Sequence, residues 1–181
     1  IEISPLSFYQ VNTFQAEKLY SKALEYAQPE KNDTLLDLYC GAGTIGLSMS
    51  EKVKKVIGVE IIGEAVENAR KNAYANNIEN AEFYTGDSGK VFAELQKNGC
   101  SFDTVILDPP RKGCSQETLE NVCKAFPEKI VMISCNPATC ARDALFLTQN
   151  GYNLQKVCGV DLFPATKHVE CVVLLSKVKS I

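Results

Sequence analysis

The fold follows from one stretch, Asp37-Leu38-Tyr39-Cys40-Gly41-Ala42-Gly43-Thr44-Ile45-Gly46, in which three glycines have the spacing G-x-G-x-x-G. Glycine lets a backbone turn tightly and approach a ligand, and a helix that follows such a turn offers free amide groups. About 20 residues further on, Glu60 ends the next apolar run, where a carboxylate can accept hydrogen bonds from both hydroxyls of a ribose. Together the glycines and the acid predict a turn between a strand and a helix that binds a nucleoside-containing cofactor.

Apolar runs rich in β-branched residues alternate along the chain with segments of helical spacing. The runs cover 34–38, 56–59, 81–84, 104–107 and 130–133, and the helical segments cover 63–77, 115–126 and 138–149. Asn12, with Gln15 three residues on, begins a further helix ahead of the first run. Because parallel strands need a crossover of about a dozen residues, this alternation predicts an α/β fold whose parallel sheet has helices on both faces.

Two more apolar runs, near 155–160 and 171–175, follow each other with no helical segment between them. A connection without a helix joins antiparallel neighbours. The sequence therefore predicts a mostly parallel sheet of seven strands with the last strand antiparallel.

NAD and S-adenosylmethionine are the two cofactors that this pattern leaves open, and three features favour the second. Asp37 precedes the glycines, where a carboxylate can meet the cationic amino-acid end of S-adenosylmethionine instead of a pyrophosphate. Asp87 follows the third strand and could reach the adenine amino group. The terminal antiparallel pair is typical of methyltransferases and atypical of dehydrogenases. The pattern thus resembles the Rossmann-like fold of class I S-adenosylmethionine-dependent methyltransferases.

The composition describes one globular domain. The chain has 181 residues, of which 45% are hydrophobic, and no apolar run approaches the roughly 18 residues of a membrane-spanning helix. Its 19 Lys and Arg against 22 Asp and Glu give a net charge of -3, so the chain lacks the positive field with which a small domain holds nucleic acid unaided. Since the first residue is Ile1, we expect residues 1–181 to be a single catalytic domain from the C-terminal part of a longer polypeptide.

Eight cysteines are scattered along the chain, and none of them forms a C-x-x-C pair. Only one histidine, His168, is available as a nitrogen ligand, so the residues favour no metal centre. We expect the cysteines to be reduced thiols of a cytoplasmic protein, most of them packed as small apolar side chains.

The fourth strand ends in Asp108-Pro109-Pro110-Arg111. Two prolines after an aspartate force an extended backbone and leave carbonyl groups outside the sheet, which suits a rim that contacts a flat base. Methyltransferases that act on amino groups of adenine or cytosine resemble this stretch, but they place an aromatic residue after the prolines. Arg111 stands there instead, which argues against methylation of an amino nitrogen.

The fifth strand ends in Ser134-Cys135-Asn136-Pro137. Asn136 suits the cap of a helix and Pro137 its first position, so Cys135 lies just ahead of a helix N-terminus, whose partial positive charge lowers the pKa of a thiol. Cys135 is therefore the candidate nucleophile. The loop 161–170, between the last two strands, adds an acid, a base and the histidine at the sheet end where a substrate would meet the cofactor.

These motifs, taken in order, resemble the RNA (uracil-5-)-methyltransferase family, and among its members most the ribosomal-RNA uracil-5-methyltransferases. The similarity extends over essentially the whole chain. The segments that carry it are Phe8-Tyr9-Gln10-Val11-Asn12, 37–43, 108–111, 134–137, and Phe163-Pro164 with His168-Val169-Glu170.

The resemblance implies a role for individual residues. The residues expected to bind the cofactor are Gln10, Tyr39, Gly41, Glu60, Asp108 and, near the adenine, Asp87. Cys135 matches the family's nucleophile and Glu170 its general base, and we expect Arg111 to contact the substrate. The family also has an OB-like RNA-binding module, and some members have an iron–sulfur cluster, in an N-terminal portion that we expect to be absent from residues 1–181.

Uracil chemistry agrees with these roles. Carbon 5 of uracil is too poor a nucleophile to attack a methyl sulfonium, but addition of a thiolate to carbon 6 turns the ring into an enolate whose carbon 5 can. A base must then remove the carbon 5 proton before the sulfur leaves. We therefore expect a monomer that makes 5-methyluridine in RNA, in 23S ribosomal RNA or alternatively in transfer RNA, on a uridine flipped out of its stack.

Two other functions compete with this one. A cytosine-5 RNA methyltransferase would place a cysteine immediately after the prolines, where Arg111 stands. A non-catalytic RNA-binding or assembly module could keep the same fold. The acidic balance of the chain, together with the presence of Cys135 and Glu170, argues against such a module.

Overall fold

Seven strands form one sheet in the computed structural model, which describes residues 13–161 and 169–178. The strands are β1 (Thr34–Leu38), β2 (Lys55–Glu60), β3 (Ala81–Thr85), β4 (Thr104–Leu107), β5 (Lys129–Ser134), β6 (Tyr152–Val160) and β7 (Glu170–Lys177). They lie in the order β3-β2-β1-β4-β5-β7-β6, and β7 runs antiparallel to both of its neighbours. The predicted mostly parallel sheet with an antiparallel last strand is confirmed.

Helices cover both faces of this sheet, as predicted. They are α1 (Thr13–Ala27), α2 (Thr44–Ser48), α3 (Gly63–Ala75), α4 (Ser88–Lys97), α5 (Gln116–Ala125) and α6 (Pro137–Gln149). On one face, α1 and α2 bury Leu35, Val56, Ile106 and Val131 of four adjacent strands. The other face packs its own apolar side chains against α4, α5 and α6. Two apolar cores thus hold the sheet from both sides, and burial of this kind stabilises by about 25 cal/mol for each Å² removed from water.

Two elements differ from the sequence prediction. Helix α4 was not among the predicted helical segments, although Asp87 caps it by accepting hydrogen bonds from the backbone N–H groups of Gly89 and Lys90. Strand β6 begins at Tyr152, three residues before the predicted start, because the Tyr152 ring is buried and its hydroxyl donates a hydrogen bond to the carbonyl of Pro127. Among the described residues, no helix is both long and apolar enough to cross a membrane.

The sheet topology brings the predicted functional residues to one edge. The strand order reverses between β1 and β4, and ligands of such sheets bind outside the carboxyl ends of the strands at this switch point. Glu60 ends β2, whereas Asp108 follows β4 and Cys135 follows β5. Glu170 begins β7, and because β7 is antiparallel its first residue lies at the same edge.

Candidate active site

The glycine turn has the geometry that a close ligand requires. Gly41 and Gly43 both have positive φ values, +54° and +80°, which an L side chain adopts only with strain. A Cβ atom on Gly41 would meet nothing within 4 Å, so this part of the turn faces open space. A Cβ atom on Gly43 would instead lie 3.0 Å from the ring of Phe83, so this glycine permits the turn to pack on β3.

Glu60 fixes the glycine turn through hydrogen bonds to the backbone. Its carboxylate accepts hydrogen bonds from the backbone N–H of Gly41 at 3.1 Å and from that of Ile62 at 3.0 Å. The side chain is 9% exposed. Glu60 is therefore in contact with Gly41 of the glycine turn. It lies at the edge of the sheet where we expect the ribose of a cofactor to bind.

Asp37 contacts the turn itself rather than the open space above it. The residue is 1% exposed, and its Oδ2 atom accepts a hydrogen bond from the backbone N–H of Gly46 at 2.9 Å. Its Oδ1 atom has no hydrogen-bond partner among the described residues. Burial raises the pKa of this carboxyl to about 7, against the Gly46 hydrogen bond and with the help of the nearby Glu60 charge. Asp37 therefore supports the turn, and its expected contact with the amino-acid end of a cofactor stays a prediction.

Tyr39 leaves the alternation of its strand. With φ at 65°, its side chain turns to the face that carries α5, where its hydroxyl lies 3.2 Å from Thr118 Oγ1. Burial raises the pKa of Tyr39 to about 12. The residue therefore contributes a half-buried neutral phenol beside the turn, and Thr118, which the sequence analysis did not single out, fixes its position.

Asp108 belongs to a group of four carboxylates at the edge of the sheet, which also includes Asp37, Glu60 and Glu170. Burial raises the pKa of Asp108 well above its ordinary value, and the charges of the other three add to the effect. Carboxylates only accept hydrogen bonds when ionised and attract cations. This set fits S-adenosylmethionine, which brings ribose hydroxyls, an ammonium group and a positively charged sulfur.

Cys135 stands where the sequence predicts it, directly before α6. Asn136 caps the helix by accepting a hydrogen bond from the backbone N–H of Ala138 at 3.1 Å, and Pro137 occupies the first turn. The expected lowering of the thiol pKa is wrong in sign for this structure. Burial and the Glu170 charge raise the pKa of Cys135, with a smaller contribution from Asp108, and only a hydrogen bond and the charge of Arg111 oppose them.

Glu170 lies next to Cys135 through strand register. The last registered pair of β5 and β7 is Ser134 opposite Cys171, so the next residues outward are Cys135 and Glu170. Glu170 is 5% exposed, and burial raises the pKa of its carboxyl while the Arg111 charge lowers it. The predicted nucleophile and the predicted base are thus adjacent at one end of the sheet.

The loop that carries Arg111 is tied to α6. The carbonyl of Arg111 accepts hydrogen bonds from Asn136 Nδ2 at 3.1 Å and from Thr139 Oγ1 at 3.2 Å. Buried Asp143 accepts a hydrogen bond from the backbone N–H of Cys114 at 2.8 Å and forms an ion pair with Arg142. No role is predicted for Asp143, whose only signal in the sequence is an acid on the apolar side of a predicted helix.

Some predicted features lie outside the described residues. Gln10, Phe163-Pro164 and His168 are among them, so their expected roles stay predictions. Within 13–161 and 169–178, no group of three or more His, Cys, Asp and Glu side chains could hold a metal ion.

Comparison with known proteins finds a family model that matches nearly the whole chain. The family model of tRNA (uracil-5-)-methyltransferases matches residues 2–178. An uncharacterized RNA methyltransferase of Bacillus cereus is 50% identical over 177 residues, covering 98% of this chain and 38% of the relative. Another from Clostridium tetani is 51% identical over 174 residues, covering 96% and 38%. The chain thus spans about two fifths of the length of the curated relatives it matches.

A solved structure shows the same fold. The tRNA (uracil-54, C5)-methyltransferase of Pyrococcus abyssi, in complex with S-adenosyl-L-homocysteine, superposes with a TM-score of 0.81 and is 37% identical, covering 96% of this chain and 41% of that one. The predicted class I methyltransferase fold is therefore confirmed.

Proposed function

Because this chain belongs to the tRNA (uracil-5-)-methyltransferase family, we propose that it transfers a methyl group from S-adenosylmethionine to carbon 5 of a uridine in RNA. The observation that carries the proposal is the adjacency of Cys135 and Glu170 at the carboxyl edge of the sheet. A thiol and a carboxyl side by side provide the two groups that methylation of a pyrimidine carbon needs, a nucleophile and a base.

The cofactor is proposed to lie along the same edge. The open space at Gly41 supports this position, Glu60 is proposed to accept hydrogen bonds from the ribose hydroxyls, and Asp108 is proposed as a further binding residue. Gln10, Tyr39 and Asp87 complete the proposed binding residues. When bound, S-adenosylmethionine supplies the methyl group and a positive charge that the carboxylates of this edge attract.

Cys135 is proposed to begin the reaction on the RNA. Its thiolate adds to carbon 6 of the uracil, the double bond between carbons 5 and 6 opens, and its electron pair moves to the oxygen on carbon 4 as an enolate. Carbon 5 becomes nucleophilic by this addition. Since carbon 6 is hidden in a stacked base, the uridine must be flipped into the site, where Arg111 and Asp108 border it.

Glu170 is proposed to end the reaction. Once carbon 5 carries the methyl group, the carboxylate removes the remaining carbon 5 proton, the double bond re-forms and the Cys135 sulfur leaves carbon 6. The raised pKa of Glu170 suits this task, because a carboxylate of higher pKa is a stronger base near neutral pH.

Ribosomal RNA is the substrate that we propose first, because the ordered motifs most resemble ribosomal-RNA members of the family, and transfer RNA is the alternative. The eight cysteines are all free thiols, which supports a reducing compartment such as the cytoplasm. A monomer is proposed as the acting form.

Methylation of defined RNAs tests this function. The protein, in its full natural length if residues 1–181 are part of a longer chain, is incubated with S-adenosylmethionine labelled in the methyl group and with transcripts of 23S ribosomal RNA or transfer RNA, and digested nucleosides are separated. We expect labelled 5-methyluridine from one RNA class and none with Cys135→Ala. Label in another nucleoside, or methylation by Cys135→Ala, contradicts the proposal, and no methylation of any RNA together with RNA binding favours a non-catalytic module.

Cofactor binding is tested separately by thermal unfolding. S-adenosylhomocysteine should raise the melting temperature, because a ligand that binds only the folded state stabilises it by mass action, and NAD should not. Glu60→Ala should reduce the shift. Stabilisation by NAD alone would contradict the choice of cofactor.

A further inference from the structure

We propose that two buried polar side chains of α5, Thr118 and Asn121, are positioning residues for the cofactor. Thr118 holds Tyr39 beside the glycine turn, and Asn121 holds the first turn of α4, which Asp87 caps. This inference rests on the proposed function, in which Tyr39 and Asp87 belong to the cofactor-binding residues. It deepens that function by assigning the shape of the cofactor site to side chains on a neighbouring helix.

Tyr39 has a backbone conformation that its surroundings must hold. Its φ of 65° lies in the left-handed region, which bulky L residues rarely adopt. Cys40, the next residue, donates a backbone hydrogen bond to the carbonyl of Val59 at 3.1 Å, and Gly41 then faces open space. The conformation of Tyr39 thus decides how the chain leaves β1 and enters the turn. Because this conformation costs free energy by itself, contacts of the Tyr39 side chain are needed to maintain it.

Thr118 provides such a contact. Its side chain is 0% exposed, so its hydroxyl must find partners within the protein. Thr118 Oγ1 lies 3.2 Å from the Tyr39 hydroxyl oxygen and 2.9 Å from Ser115 Oγ. Ser115 caps α5 by accepting a hydrogen bond from the backbone N–H of Thr118 at 3.1 Å. The Tyr39 ring is thereby tied to the capped end of a helix through a hydroxyl that water does not reach.

Asn121 makes a second contact, three residues further along α5. It is 5% exposed, and its Nδ2 atom donates a hydrogen bond to the carbonyl of Gly89 at 2.9 Å. Gly89 lies in the first turn of α4, and its backbone N–H donates to Asp87 Oδ1 at 3.0 Å. A Cβ atom on Gly89 would lie 3.1 Å from Glu117 Cγ and 3.3 Å from the backbone nitrogen of Thr118, so α4 and α5 meet closely here.

The two contacts fix parts of the site that lie on either side of Glu60. Tyr39 follows β1 and Asp87 follows β3, and these strands are the two neighbours of β2, which Glu60 ends. A cofactor that binds at Glu60, as proposed, therefore lies between the two segments that α5 holds. A site that is ordered before its ligand arrives loses less conformational entropy on binding and so binds more tightly. Loss of either hydrogen bond should consequently weaken cofactor binding.

Affinity for S-adenosylhomocysteine, measured by isothermal titration calorimetry, tests this inference on the protein in its full natural length. Thr118→Val keeps the shape of the side chain and removes the hydroxyl, so Kd should rise about fivefold, as for the loss of one buried hydrogen bond. Asn121→Leu should raise Kd by a similar factor, whereas Thr118→Ser keeps the hydroxyl and should restore it. Thr104→Val is the matched control, because Thr104 is also buried but its Oγ1 has no hydrogen-bond partner among the described residues. Its Kd should equal that of the wild type.

A double-mutant cycle with Tyr39→Phe separates positioning from a general loss of stability. If Thr118 acts through the Tyr39 hydroxyl, adding Thr118→Val to Tyr39→Phe should leave Kd at the value of Tyr39→Phe alone. Two losses of affinity that multiply overturn the inference. Urea unfolding of the same variants provides the second measurement, since a purely structural Thr118 would lower the free energy of unfolding and leave Kd unchanged.

Failure of the inference and failure of the proposed function give different results. Wild-type Kd in either folded variant, Thr118→Val or Asn121→Leu, overturns the inference and leaves the proposed methylation intact. Absence of S-adenosylhomocysteine binding by the wild type overturns the proposed cofactor, and the inference with it. Should Thr118→Val fail to fold, Tyr39→Phe removes the same hydrogen bond from its other end, and wild-type affinity in that variant contradicts the inference by itself.

Discussion

Glu170 shows how one position in a strand shapes the chemistry of a side chain. It begins β7 opposite Val160 of β6, and it is buried there next to the end of β5. Burial raises the pKa of its carboxyl, so the acid limb of a pH–rate profile should lie at higher pH than for an exposed glutamate. The Arg111 charge opposes the effect of burial on this pKa.

Glu170→Gln should separate the two halves of the reaction. Glutamine has nearly the same shape but does not take up a proton, so addition and methyl transfer remain possible while the carbon 5 proton cannot leave. A covalent protein–RNA adduct should therefore accumulate and survive denaturing electrophoresis, with turnover reduced at least a hundredfold. Glu94→Gln, which changes an exposed carboxylate of α4, should turn over like the wild type. Normal turnover by Glu170→Gln would assign the base to another residue.

The residues recognisable from the sequence either belong to a motif of known spacing or have partners nearby in the chain. Glu60 follows the glycines at the spacing of a known motif, and Asn136, confirmed as the cap of α6, follows from local chain geometry. Thr118 and Asp143 were missed, since their partners Tyr39 and Cys114 are 79 and 29 residues away. The sign of the Cys135 pKa shift was wrong for the same reason: the helix terminus is local, whereas Glu170 comes from a distant strand.

At the scale of elements, the loop between β4 and α5 depends on α6. Arg142 Nη2 donates a hydrogen bond to the carbonyl of Lys112 at 3.1 Å, and Asp143 accepts from the backbone N–H of Cys114. The loop and the helix that follows the nucleophile thus form one structural unit. A change on α6 that touches no substrate should consequently disturb the position of Arg111.

Asp143→Ala tests this dependence. It leaves the buried N–H of Cys114 without its acceptor, so we expect a loss of about 1–3 kcal/mol in the free energy of unfolding. Urea unfolding followed by circular dichroism measures it, and limited proteolysis should show faster cleavage after Arg111 or Lys112. Glu94→Ala removes an exposed helical carboxylate and should change the unfolding free energy by less than about 0.5 kcal/mol. A protected loop in Asp143→Ala would show that the ion pair with Arg142 is dispensable.

Elements were predictable wherever hydrophobic periodicity was strong. Strands β1, β2, β4 and β5 are buried over most of their length and rich in Val, Ile and Leu, whereas β3 lies at the edge of the sheet and is largely exposed. Helix α4 is absent from the sequence prediction although Val91, Phe92 and Leu95 have helical spacing, because Asp87 is interpreted there as a contact of the adenine and not as a helix cap. Asp87 caps the helix through Oδ1, and a cap residue at a strand end gives the same sequence signal as a binding residue.

Across the whole molecule, the raised pKa values of buried acids at one edge of the sheet make stability depend on pH. Asp37 has a folded pKa of about 7 against an ordinary value of 3.8. Between these values the folded protein keeps a proton that the unfolded chain has lost, so its contribution to stability is complete below about pH 4 and is lost as the pH rises through 7. The raised pKa of Asp108 acts in the same direction.

Asp37→Asn should flatten this dependence. Asparagine stays neutral and can still accept the hydrogen bond from Gly46 N–H, so the unfolding free energy of the variant, relative to the wild type, should rise by about 2 kcal/mol between pH 5 and pH 8. Thermal or urea unfolding at both pH values provides the comparison. Asp161→Asn, which changes an exposed aspartate after β6, should follow the wild type at both. An equal offset at the two pH values for Asp37→Asn would show that Asp37 is ionised throughout.

The position of β7 has a consequence for the growing polypeptide. This strand of eight residues lies between β5 and β6, although it follows both of them in the chain. During translation, β5 therefore keeps an open edge, and β6 has no place in the sheet, until the final strand has left the ribosome. Glu170 arrives as the first residue of that strand, so a nascent chain carries the thiol of Cys135 without its neighbouring base, and the site is assembled in the same event that closes the sheet.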